Sequence, residues 1–268
     1  MKALAAVNIR QYERAAESLE EYNAIVDMGW QILFHSLTRF PHAKITPEAI
    51  ILVLGSDQGM CGRFNEIILE QAVSHQHELA GKNISTLFWT VGERIKAGID
   101  DLAESTEHYA LPGSMQGILT QAQLIVRQLE FYKREKGIDT LFVIHNRLAN
   151  GGGYHPVKIR LLPLDQSWLA GYKDRRWPGP SLPMIGLAQG ELFSHLFHHY
   201  LFASLYRAFV QSMASENAAR LASMQAAEKN IMERQEELQA QFRETRQSTI
   251  TAELFDIVAG FEALIDNK

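Results

Sequence analysis

The chain has 268 residues, 46% of them apolar and 21% charged, an ordinary globular composition with enough length for one substantial core and an appendage. A net charge of −5 argues against nucleic acid as a main partner, because a phosphate-binding surface carries a basic excess or stripe. The single cysteine, Cys61, cannot form an internal disulfide, no basic start leads into a signal-peptide apolar run, and no window holds the roughly 18 apolar residues of a membrane span, so the reading is a reducing, cytoplasm-side chain with no direct membrane span.

From Met1 to about Arg39 the only breaker is Gly29, and Ile9, Ala16, Leu19, Tyr22, Val26, Trp30, Leu33 and Leu37 recur at three, four or seven residues. That spacing predicts a helix over residues 1–40, roughly 55 Å long, with one stripe packed on another helix. The helix opens on Met1-Lys2-Ala3-Leu4-Ala5-Ala6, already in helical pattern, with no Ser, Thr, Asp or Asn to cap it.

Residues 48–165 read differently. Ile50-Ile51-Leu52-Val53-Leu54 is a buried-strand run, followed by the turn Gly55-Ser56-Asp57-Gln58-Gly59-Met60-Cys61-Gly62 and a helix from Asn65 to Leu79. Apolar runs at 84–90, 140–144 and 157–162 alternate with helical patterns near 93–103 and 115–136. Such alternation predicts a mostly parallel sheet in a Rossmann-like, three-layer α/β domain. Asn150-Gly151-Gly152-Gly153, between the last two strands, predicts a hairpin or loose loop. A linker over 166–189 contains Trp177-Pro178-Gly179-Pro180 and returns the chain to its final element.

That element, residues 190–268, has neither glycine nor proline from Glu191 to Ala259 and is rich in Ala, Leu, Glu, Gln, Arg and Met. It predicts one helix roughly 100 Å long, far beyond globular norms. Leu196, Ala203, Tyr206, Val210, Met213, Leu221, Met224, Ile231, Leu238 and Phe242 keep the spacing of the first helix, with small residues such as Ala214, Ala218 and Ala219 between them. An antiparallel coiled coil of the two chain ends follows, with the far end of the longer arm left over.

These elements carry no complete catalytic or ligand pattern. Gly55-x3-Gly59-x2-Gly62 is not G-x-G-x-x-G, and no Gly-Lys-Ser/Thr follows to hold phosphate and magnesium. His195 and His199 have helical zinc spacing but no H-E-x-x-H and no nearby cysteine, so they read as polar helix positions beside His198. No G-x-S-x-G elbow is present. The expectation is a chain without catalytic residues, cofactor or metal of its own.

Two polar runs on the long helix carry more. Ser215-Glu216-Asn217-Ala218-Ala219-Arg220, with Met224, Ala227 and Asn230, precedes Arg246-Gln247-x-Thr249-Ile250-Thr251-x-Glu253 and Ile257-Val258-x-Gly260. Together they resemble the carboxyl-terminal signature of the gamma subunits of F-type ATP synthases. Ser56-Asp57-Gln58-Gly59-Met60-Cys61-Gly62-Arg63-Phe64-Asn65 is similar to that family's S-D-R-G-L-C-G-x-x-N motif, departing at Gln58, where arginine is usual, and at Arg63, where a small residue is common. The opening residues match the interior of the family's first helix, so about twenty residues, or roughly 30 Å of helix, stand before this point in the family. That would explain the capless start.

The resemblance implies a central-stalk rotor. Its bent antiparallel coiled coil enters the ring of alpha and beta subunits, while the α/β domain and the foot of the stalk meet the epsilon subunit and the membrane c-ring. It implies a non-catalytic subunit coupling proton or sodium flow to ATP synthesis or hydrolysis, peripheral on the cytoplasmic side of the bacterial inner membrane. By motif position, Arg220, Arg246, Gln247, Thr251 and Glu253 are implied in rotor–stator contact and coupling. Ser56, Asp57, Gly59, Cys61, Gly62 and Asn65 are implied in shaping the domain and its stalk contact. The residues alone also leave open an α/β nucleotide-binding enzyme with a helical appendage and a coiled-coil scaffold or chaperone.

Overall fold

The computed structural model describes residues 2–36, 45–149, 153–164, 171, 172, 175, 177, 179–181 and 183–265; Met1, Leu37, Asn150–Gly152 and much of the expected linker lie outside these. The chain divides into two compact units, Met1–Leu221 and Ala222–Lys268. Helix α1 (Lys2–Ser36) is followed by β1 (Glu48–Leu54), α2 (Phe64–Ala80), β2 (Ser85–Val91), α3 (Glu93–Asp100), β3 (Ser105–Tyr109), α4 (Met115–Lys136), β4 (Leu141–Leu148), β5 (Tyr154–Leu162) and α5 (Gln189–Ile265).

In the first unit the five strands form one sheet in the order β3-β2-β1-β4-β5. β1 pairs in parallel with β2 and β4, and β2 with β3; β5 closes the edge antiparallel to β4. Alternation along β1 sets the layers. Ile50, Leu52 and Leu54 face a core shared with α4 and α5, whereas Ala49, Ile51 and Val53 face a second core under α2 and α3. Each fully buried aliphatic or aromatic side chain contributes about 1.5–3 kcal/mol.

α4 illustrates why the helices form where they do. Ile118, Ala122, Ile125, Leu129 and Tyr132 are buried at alternating spacings of four and three, Ser114 Oγ accepts the Gly117 N–H at 3.2 Å as N-cap, and Gly137 ends the helix in a left-handed C-cap. β3 is an element that the apolar runs did not predict. Its sequence Ser-Thr-Glu-His-Tyr carries no apolar run because it is a half-covered edge strand, held through Glu107, which accepts from Gln128 Nε2 and the Tyr132 hydroxyl, both at 2.8 Å.

α1 and α5 run antiparallel. Trp30 rests edge-on against Phe193, the Tyr22 hydroxyl meets His199 Nδ1 at 2.7 Å, and Asn8 Nδ2 donates to Asn217 Oδ1 at 3.4 Å. Leu19, Val26, Trp30 and Leu33 are buried as their spacing predicts, but Ile9, Ala16 and Tyr22 are only half-buried. Ala5 and Tyr12 take the covered places instead, giving the row Ala5, Tyr12, Leu19, Val26 and Leu33 at seven-residue intervals. Over residues 201–219 α5 is covered nearly all round, with Leu205, Phe209 and Met213 in the core shared with β1 and α4.

The second unit is the rest of α5. Its Ile231 and Phe242, placed on the same predicted stripe, are 66% and 68% exposed.

Candidate functional site

β1 delivers the chain to the turn Gly55–Gly62. From β1 the chain crosses to β2 on one side, and α4 later brings it back to β4 on the other, so the carboxyl end of β1 is the topological switch point where α/β folds open a ligand crevice. Here α5 enters that place. Ser212 Oγ donates to the Leu54 carbonyl at 3.4 Å, and Arg220 Nη1 donates to the Gly59 carbonyl at 2.8 Å.

The turn is bonded to itself. The Ser56 N–H donates to Asn65 Oδ1 at 3.0 Å, Asn65 Nδ2 returns to Ser56 Oγ at 2.8 Å, and Ser56 Oγ donates to the Gln58 carbonyl at 2.9 Å. Cys61, buried, points its Sγ at the Gln58 carbonyl at 3.7 Å and receives Asn65 Nδ2 at 3.6 Å. Asp57 Oδ1 accepts the Glu93 N–H at 3.1 Å at the start of α3, and the Ser56 carbonyl accepts the Arg94 N–H at 2.9 Å. Gly92 permits that approach, since its φ is +100° and a Cβ there would lie 2.9 Å from the Ser56 carbonyl carbon and oxygen. The polar side chains of the motif thus fix its own backbone.

Two left-handed residues complete the turn, Gly62 at φ +57° and Met60 at φ +58°. For a non-glycine residue this conformation costs roughly 1–2 kcal/mol, and it leaves the Met60 side chain 68% exposed.

Glu216, one helical turn before Arg220, is 7% exposed and paired with Arg220 Nη2. Burial pushes its carboxyl above the ordinary range while Arg220 pulls it back. The pair borders a cavity of about 320 Å³ that also meets Tyr12, Asp57, Gln58 and Leu111. Burial, with the Glu216 charge, raises the Tyr12 hydroxyl and keeps it protonated.

The structure therefore brings together Ser56, Asp57, Gly59, Cys61, Gly62, Asn65 and Arg220 in the first unit. Arg246, Gln247, Thr251 and Glu253 belong to the second unit, where all four are exposed. At about 100° per residue they span roughly 160° of the helix surface. Ile250, Leu254, Ile257 and Val258, exposed by 45–73%, fall inside that arc. Thr251 Oγ1 donates to the Gln247 carbonyl at 2.8 Å, and among the described residues Arg246 and Glu253 have no ion-pair partner. On this face Arg246 and Glu253 border one side of an apolar strip and Thr251 the other, with Gln247 interleaved between Leu254 and Val258.

His195, His198 and His199 are exposed; His198 faces Glu130 at 3.5 Å, and among the described residues no three His, Cys, Asp or Glu gather as metal ligands. The sequence reading passed over His145 and Gln211. His145 Nε2 meets Gln211 Oε1 at 2.9 Å, tying β4 to α5, and burial lowers the imidazole to about 4. The sequence signal was available: His145-Asn146 directly extends the apolar run Leu141–Ile144.

Comparison with known proteins bears on the family and the fold. A family model described as ATP synthase matches residues 1–264. The ATP synthase gamma chain of Polynucleobacter asymbioticus is 31% identical over 230 residues, 84% of this chain and 77% of that one. That of Buchnera aphidicola subsp. Schizaphis graminum is 28% identical over 280 residues, covering 98% and 91%. Among solved structures, a chain from the central stalk and c-ring of the Tetrahymena thermophila mitochondrial ATP synthase superposes with a TM-score of 0.59 at 21% identity, covering 85% of this chain and 97% of that one. A chain from the OSCP/F1/c-ring structure of the Euglena gracilis mitochondrial enzyme gives 0.58 at 15% identity, covering 97% and 95%; both are likenesses of fold. By the near-complete family match, together with these relatives, the chain belongs to the ATP synthase gamma chain family.

Proposed function

We propose that this gamma chain works as the non-catalytic rotor of a bacterial F-type ATP synthase. In this reading the second unit turns inside a hexamer of alpha and beta subunits, and the first unit meets the epsilon subunit and the membrane c-ring. Coupling arises because an asymmetric surface presents different contacts to three catalytic sites in turn, and only differential contact free energy can change their affinities.

The observation that carries the proposal is the exposed face of the second unit, where Ile250, Leu254, Ile257 and Val258 lie open between Arg246, Gln247, Thr251 and Glu253. Apolar side chains gathered on one exposed face support a role in contact with a partner. Arg246 and Glu253 would make charge-assisted hydrogen bonds to the ring that are directional yet readily remade in water. In this reading attachment to the membrane runs through partners and the chain sits on the cytoplasmic face of the inner membrane; among the described residues no helix is long and apolar enough to cross a membrane.

The test uses the assembled complex in membrane vesicles. Arg246→Ala and Gln247→Ala should each lower ion pumping per ATP hydrolysed several-fold, without lowering the thermal stability of the isolated chain. Wild-type coupling in both variants would defeat the assignment. ATP turnover by the purified chain alone would count equally against it.

A further inference from the structure

The geometry points to Arg220 acting inside the subunit: we propose that it is a positioning residue that locks the angular setting of α5 against the turn after β1 through the Gly59 carbonyl, with Glu216 as its buried counter-charge. The proposal deepens the rotor reading and rests on it.

Most contacts that hold α5 to the sheet are apolar, through Leu205, Phe209 and Met213. Such contacts hold the helix by close packing, and a hydrogen bond adds to that packing a directional restraint on the helix's angular setting. A directional tie is needed where a helix must pass a twist to the domain beside it. Arg220 supplies one. Its guanidinium holds a fixed fork, one arm on the Gly59 carbonyl at 2.8 Å and the other on Glu216. The Gly59 carbonyl is a firm anchor, because the turn around it is braced by the Ser56–Asn65 bonds and by Asp57 on the Glu93 N–H. The place on the helix is also telling: from Gln225 to Gly260 every residue is exposed, so Arg220 belongs to the last enclosed turns of α5.

Glu216 shows that the tie is built rather than incidental. A carboxylate 7% exposed is stable only with a partner, and Arg220 is the cation that reaches it. Its pairing in turn restricts the guanidinium to the rotamer that reaches Gly59. Substituting Glu216 should therefore loosen the latch although Glu216 does not touch the turn.

The experiment compares Arg220→Met, Glu216→Gln and the double variant in the assembled ATP synthase, reading pumping per ATP hydrolysed, the amount of chain in the complex, and the thermal midpoint of the isolated chain. The double variant removes both charges and so leaves no buried unpaired carboxylate to unfold the chain. A latch requires a several-fold loss of coupling in Glu216→Gln, a similar or larger loss in Arg220→Met, and a double variant no worse than Arg220→Met while assembling in wild-type amount. Coupling kept in Glu216→Gln but lost in Arg220→Met would overturn the proposal in favour of direct contact between Arg220 and the hexamer. Coupling kept in the double variant would overturn it outright. Gln247→Ala, run in parallel, reports on the rotor surface alone, so failure of that assignment is distinguishable from failure of the latch.

Discussion

His145 lies on β4 with no exposed surface, its Nε2 on Gln211 of α5 and its Nδ1 enclosed without a partner among the described residues. Burial, only partly offset by the Gln211 contact, holds the folded imidazole neutral down to about 4, whereas an unfolded histidine protonates near 6.5. Its contribution to stability is thus fully present above pH 6.5 and is lost as pH falls toward 4, by up to about 3 kcal/mol at 1.36 kcal/mol per unit. Buried His75 is lowered in the same direction, by desolvation with Glu78 opposing, and adds to the slope. Denaturant unfolding of the purified chain between pH 7.5 and 5 should therefore show falling stability, and His145→Gln should flatten most of the fall. A wild-type profile that is level over this range would refute the account. The motif residues teach a related point. Ser56 and Asn65 were recognisable as members of one motif, but nothing in their letters says that their hydrogen bonds close on each other, because that depends on where the start of α2 sets the Asn65 amide against the Ser56 N–H and hydroxyl of the turn.

At the scale of elements, α5 is one continuous helix with two environments. Over residues 201–219 it is enclosed, and from 225 to 260 it is exposed throughout. Isolated helical segments in water are marginal even with good composition, so most of their stability comes from tertiary cover. Hydrogen exchange of the free chain should accordingly show amides in 225–260 exchanging at least about a hundredfold faster than those in 201–219, a gap of roughly 2.7 kcal/mol at 1.36 kcal/mol per decade. Equal protection would mean that the exposed segment is covered in solution. The extent of α5 was readable from its lack of breakers, and α4 from its period. β3 was not, since an edge strand buries too little to force an apolar pattern. Nor could spacing alone tell which half of the α5 stripe is covered; Val210 and Phe242 carry the same periodic signal and end in opposite surroundings.

For the whole molecule, the exposed strip of the second unit makes folding and assembly separable. Leu254, 59% exposed, contributes little to the folded chain but would be buried if the rotor surface is read correctly. Leu254→Asp should leave the unfolding midpoint of the isolated chain unchanged and reduce, several-fold, the chain recovered with alpha and beta subunits. Wild-type recovery would remove Leu254 from the contact surface.

The row Ala5, Tyr12, Leu19, Val26 and Leu33 has a mechanical consequence. A straight α-helix drifts about 20° per seven residues, so a strict seven-residue row stays on its neighbour only by winding around it left-handedly. A wound pair is not equally stiff in both senses: twist that follows the winding tightens the seam, and twist against it pries the strands apart. Winding of α1 on the enclosed part of α5 would give that pair a preferred torsional sense, set by the spacing of five side chains.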